Sequence, residues 1–153
     1  MEYQGYLAAI ERHFQKSEYI SIAKTGAKML WEPMRFKGKK LFCFVLNGAM
    51  PSGDLVKKLA KYAESITFYE SKKANEKINV ITLFVYKDMQ NSSRKAIFEK
   101  AIKSGCAFVL PAAFDISEQK LYLPSKCPIF TSGEFNEISA FCKKVLTQKN
   151  TED

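Results

Sequence analysis

The stretch over residues 78–88, INVITLFVYKD, limits the fold more than any other. Val80, Ile81, Leu83, Phe84 and Val85 are apolar or β-branched with no polar residue on alternate positions. A strand exposed on one face alternates, and a strand covered on both faces does not. A second run of the same kind, LFCFVL, occupies residues 41–46. Two such strands require layers above and below a sheet, which places the chain in the α/β class.

The residues after the first run support that class. Ser92 is placed to cap a helix over 93–103, with Ala96, Ile97, Phe98, Ala101 and Ile102 as its apolar side. Gly105 stands where a left-handed C-cap is wanted. Residues 106–110 form another apolar run, which Pro111 ends. Strand, helix, strand makes a right-handed βαβ crossover.

Upstream, Tyr3, Tyr6, Leu7, Ile10 and Phe14 recur at helical spacing and predict a helix over 2–16. Strands come next over 19–24, 27–34 and 40–47, joined by short turns at Thr25-Gly26 and Lys37-Gly38-Lys39. Pro33 ends the middle strand or puts it at an edge. These three strands read as an antiparallel meander. Ser52 caps a helix whose apolar positions are Leu55, Val56, Leu59, Ala60, Ala63 and Ile66. Residues 66–69 also suit a strand, but no Gly or Pro interrupts the helical period, and the helix is drawn to about Asn75.

Near the end, residues 112–115 and 120–123 flank a turn, as a small hairpin or as a loop over the sheet edge. Thr131-Ser132-Gly133-Glu134 has the form of a capping box. It opens a helix with Phe135, Ile138, Phe141, Cys142 and Val145 on its buried stripe. The expectation is one three-layer α/β domain over 1–147: an N-terminal helix, the three-strand meander and a C-terminal βαβ unit in one mixed sheet. Residues 148–153 are expected to be a disordered tail.

The element order, helix, three strands, helix, strand, resembles the restriction-endonuclease-like superfamily over residues 2–110. That resemblance implies an acidic metal site on the second and third strands, for Mg²⁺-dependent phosphodiester cleavage. The motif is missing. No aspartate occurs in residues 1–53, and the third strand, KLFCFVL, has no acid. Asp54 with Glu70-Ser71-Lys72 imitates the motif by spacing alone, so a metal-dependent nuclease ranks last among the functional readings.

Other chemistry is no better supplied. There is one histidine, His13, and no nucleophile elbow, phosphate-binding loop or dinucleotide fingerprint. Cys43, Cys106, Cys127 and Cys142 form no C-x-x-C pair and read as free thiols in a reducing cytoplasm. No apolar run reaches the roughly 18–20 residues of a membrane helix, and no membrane partner is expected. No catalytic residue, metal or cofactor is assigned.

Charge is the remaining signal. The net charge is +8, with 8 basic and 4 acidic side chains in residues 1–50, 11 and 6 in 51–104, and 5 and 6 in 105–153. Arg35, Lys37, Lys39 and Lys40 cluster around a turn, and Lys57, Lys58 and Lys61 lie on the outer side of the second helix. These seven are the candidate nucleic-acid contacts of a non-catalytic binding domain. The alternative is a protein-interaction or homodimerisation module using Tyr3, Tyr6, Met29, Trp31 and Met34. A bound anion would be sought past the carboxyl ends of the strands, at Tyr86, Lys87, Asp88, Asn91 and Ser92.

Overall fold

The computed structural model describes residues 2–36, 39–73, 76–89 and 97–147, with the backbone alone for 33–36. In chain order these form α1 (Tyr3–Glu11), β1 (Lys16–Ile22), β2 (Thr25–Phe36), β3 (Lys39–Asn47), α2 (Gly53–Ser71), β4 (Ile78–Tyr86), β5 (Ile102–Ser104), β6 (Ala107–Asp115), β7 (Lys120–Tyr122) and α3 (Ser132–Val145). One mixed seven-stranded sheet runs β1-β2-β3-β4-β6-β5, with β7 also on the edge of β6. β1, β2 and β3 are the antiparallel meander. β3, β4 and β6 are parallel, with Cys43 opposite Ile81 and Ile81 opposite Leu110.

The unbroken apolar runs have the predicted consequence. Leu41, Cys43 and Val45 point to one face, with Ile81, Leu83 and Val85; α1 and α3 cover them through Tyr6, Leu7, Ile10, Ile138, Phe141 and Val145. Phe42, Phe44 and Leu46 point to the other, with Val80 and Phe84; α2 covers these through Leu55, Val56, Leu59, Ala60 and Ala63. The fold is a three-layer α/β sandwich. Among the described residues, no helix is long and apolar enough to cross a membrane.

Several expectations are corrected. The first helix stops at Glu11, and β1 begins at Lys16, because Gln15 N–H already bonds Trp31 C=O and draws the chain into the sheet. β2 continues past Pro33 to Phe36, since its register with β3 shifts between Glu32 and Phe36 and the irregularity absorbs a residue with no N–H. α2 is helical through Ser71 rather than Asn75, and Lys72 closes it at φ 61° with its N–H on Phe68 C=O. Ser52 caps it as expected, accepting from Leu55 N–H at 3.0 Å.

The largest correction concerns 93–103. Residues 93–96 lie outside the described residues, but Ile102–Ser104 is strand, paired antiparallel with β6. Gly105, at φ 60°, therefore serves the β5–β6 turn rather than a helix end. β6 also runs through Pro111 to Asp115. The outer edge of β6 pairs with β5 as far as Val109 and with β7 from Ala113 onward, so the proline falls between two partners. The hairpin reading of 112–115 with 120–123 is the one observed, over Ala113–Asp115 and Lys120–Tyr122. Thr131 precedes α3 but makes no side-chain cap; its Oγ1 donates to Pro128 C=O at 2.6 Å. The expected tail over 148–153 lies outside the described residues.

α1 and the residue that closes α3 meet in the core. Tyr6 is fully buried, its ring stacked on Phe114 at 4.1 Å and its hydroxyl donating to Leu146 C=O at 2.6 Å. Tyr6→Phe keeps the ring and strands the carbonyl. It is expected to destabilise by about 1–2 kcal/mol, read as a lower urea midpoint at unchanged slope.

Candidate functional site

The amphipathic pattern of α2 builds the candidate site. Leu55, Val56, Leu59, Ala60, Ala63 and Thr67 face the sheet. The opposite side therefore carries Lys57, Lys58, Lys61 and Ser65, one helical turn apart, and continues to Phe68 and Tyr69. These residues line an open groove of about 690 Å³, together with Lys73, Glu76 and the β5–β6 turn at Ser104, Gly105 and Cys106. Phe68 is 54% exposed and Tyr69 75% exposed. Lys72 Nζ lies 4.5 Å from the centre of the Tyr69 ring.

The floor of this groove is fixed by Glu64. Its carboxylate accepts Cys106 N–H at 3.1 Å and lies against Gly105, where an added Cβ would stand 2.7 Å from the carboxylate oxygens. The turn thus needs a residue that tolerates both the positive φ and the close approach. Lys58 Nζ also reaches Asp54 at 2.9 Å, an exposed i,i+4 pair of little strength in water.

The seven candidate contacts do not share one face. Lys57, Lys58 and Lys61 come together in the groove. Lys40 does not join them: its ammonium pairs with Glu70 at 2.9 Å, its side chain is 12% exposed, and it lies 5.9 Å from the Trp31 ring. Lys39 lines a narrow cleft at the N-terminal ends of the parallel strands, with Lys77, Lys103, Cys106, Thr131 and Glu134. The Arg35 side chain and Lys37 lie outside the described residues. Lys73, which prolongs the Lys57–Lys61 side of α2, lines the groove as its sequence position suggests; Phe68 and Tyr69 were missed. The signal for the aromatics was available, because 68 and 69 fall off the 55–56–59–60–63–67 stripe once the helix is extended through them.

The sites expected of other functions are placed elsewhere. Asp54 and Glu70 stand at opposite ends of α2, about 24 Å apart along its axis, so they do not share a metal. Among the described residues, no three His, Cys, Asp or Glu side chains are grouped to hold one. Tyr6 and Met29, expected at a protein interface, are core residues, and Tyr3 and Trp31 are half-buried. The Met34 side chain is outside the described residues. His13 is exposed at the end of α1. Burial pushes the Cys43 and Cys142 thiols well above their ordinary range, which suits packing rather than nucleophilic chemistry.

The described part of the carboxyl-end rim carries the carboxylates of Asp88 and Asp115 beside exposed Lys87. Asp115 is buried at the end of β6 and accepts from Ser117 Oγ at 2.7 Å, Met89 N–H at 3.2 Å and Glu118 N–H at 3.3 Å. Ser117 Oγ also reaches Asp88 at 3.4 Å. Tyr86, on the same rim, donates its hydroxyl to Ala49 C=O at 2.9 Å. Asn91 and Ser92 lie outside the described residues.

No family model matches this chain, and neither a curated protein nor a solved structure matches it.

Asp115 supplies a pH-dependent prediction. Burial opposes its charge, but the hydrogen bonds from the Ser117 hydroxyl and from the Met89, Glu118 and Ser117 amides outweigh it and hold the carboxyl below its ordinary value. A depressed folded value contributes stability above the unfolded carboxyl pKa of about 3.9, and this is lost as pH falls through the folded value. Asp115→Asn is expected to lower stability by about 1–2 kcal/mol at neutral pH. It should also flatten the fall in stability below about pH 4, measured by denaturant unfolding across pH.

Proposed function

We propose that this protein is a non-catalytic nucleic-acid-binding protein, and that its contact face is the outer groove of α2. One observation carries this: Lys57, Lys58, Lys61 and Lys73 line the same groove as the exposed rings of Phe68 and Tyr69. Lysines that neutralise phosphates release condensed counterions, and this supplies sequence-independent affinity. Aromatic faces add stacking with unpaired bases, which lysines alone do not offer. Two aromatic rings on a solvated helix face are costly for solubility and have a use if bases cover them.

The acids in the groove do not cancel this. Glu64, whose carboxylate is turned to the Cys106 N–H, and Glu76 stand against four lysines among the described lining residues. The homodimer alternative is weaker, because Tyr6 and Met29 of its expected surface are interior. The nuclease alternative lacks a metal pair, since Asp54 and Glu70 are held apart by the length of α2.

The test is fluorescence anisotropy with labelled RNA and DNA at about 50 and 200 mM salt. Binding should weaken steeply with salt. The double variant Lys57→Glu, Lys61→Glu changes exposed positions and is expected to keep its fold. It should bind at least about tenfold more weakly, with a salt slope shallower by about one unit per lysine. An absence of binding at the lower salt concentration overturns the proposal.

A further inference from the structure

We infer, building on the nucleic-acid reading of α2, that the ligand is a single strand. Its path leaves the α2 groove, crosses the β5–β6 turn into the Lys39–Lys77–Lys103 cleft and ends against Phe130.

The two sites share a wall. Cys106 lines both the groove and the cleft. Glu76 and Ser104 line the first, while their chain neighbours Lys77 and Lys103 line the second. The saddle between them is the turn that Glu64 fastens through Cys106 N–H and Gly105, so the crossing point is fixed. Beyond it, Lys39 of β3, Lys77 just before β4 and Lys103 of β5 meet Glu134 among the described lining residues. The cleft measures about 30 Å³. That is space on the scale of one water molecule, enough for a single phosphate oxygen at its mouth and too narrow for a base.

Thr131 lines this cleft, and the residue before it is Phe130, 98% exposed, beside Ile129 at 81%. Phe130 has φ 67°, a conformation unfavourable for a side chain of its size. The turn is tied by Thr131, whose N–H and Oγ1 both donate to Pro128 C=O. A phenyl ring is thus held in solvent on a constrained backbone, at the end of a cationic track. A final unpaired base stacked on it uses both features.

Aromatic rings in the α2 groove and at Phe130 select single strands, because duplex bases are already stacked on one another. From Lys57 to Ser71, where α2 ends, is about 21 Å at helical rise. At about 3.4 Å per stacked nucleotide this spans about six nucleotides. The cleft and Phe130 lengthen the site beyond that.

The experiment uses the full chain with labelled oligothymidylates of about 6 and 14 nucleotides and a duplex of the longer length, sizes within the usual range for single-strand sites. The single strand should bind more tightly than the duplex. Lys77→Glu with Lys103→Glu should weaken the 14-mer about tenfold with a shallower salt slope, and leave the 6-mer within about twofold. Phe130→Ala removes a ring that touches solvent, so folding is not at issue. It should weaken the 14-mer by at least about fivefold with the salt slope unchanged. If these variants bind the 14-mer like the parent while the Lys57 and Lys61 variant does not, the extended path is wrong and the α2 reading stands. Tighter binding of the duplex overturns the single-strand assignment. If neither the oligothymidylates nor the duplex bind, the α2 reading fails and the path fails with it.

Discussion

Strands β3, β4 and β6 bury both faces, and the rest of the molecule answers that requirement. Each strand sends alternate side chains into two separate cores: Leu41, Cys43 and Val45 into one, Phe42, Phe44 and Leu46 into the other. Fully burying a side chain of this size is worth roughly 1.5–3 kcal/mol, so an uncovered face is not tolerable. Two helices lie on one side and α2 on the other. α2 covers its half with little more than one stripe, which leaves its outer surface free to carry lysines and rings. The candidate site is thus the solvent side of an element that exists to cover the sheet.

Much of this is legible in the sequence. The β3 and β4 runs, the Ser52 cap, the α2 stripe and the α3 stripe all come from local patterns that tertiary structure did not override. The misreadings share a cause. In 93–103, the spacing of Ala101 and Ile102 suits either a helix or an edge strand, and pairing with β6, which is invisible locally, decides for strand in Ile102–Ser104. Pro33 and Pro111 look like stops, yet one sits at a register shift and the other between two short partners. Both positions depend on what lies alongside, not on the residue.

The candidate contacts divide in the same way. Lys57, Lys58 and Lys61 were legible because helical period alone places them together. Lys40 was not. Its neighbours in sequence are basic, but its neighbour in space is Glu70, thirty residues later, beside the Trp31 ring. Lys77 and Lys103 join Lys39 only because β3 and β4 begin close to where β5 ends. A charge cluster along the chain and a charge cluster on the surface are different objects, and only the helix makes them coincide.

The Tyr6–Leu146 bond spans 140 residues. α1 is made before α3 and rests on a surface that α3 completes. A growing chain therefore holds Tyr6, Leu7 and Ile10 without their final cover until α3 has been synthesised. That face of the sheet stays partly open until then, while α2 can close the opposite face earlier. Such a chain is exposed to aggregation in its half-covered form, and its long-range closure makes the last step of assembly slow. Between the synthesis of α1 and that of α3, this is the face a wrong partner can reach.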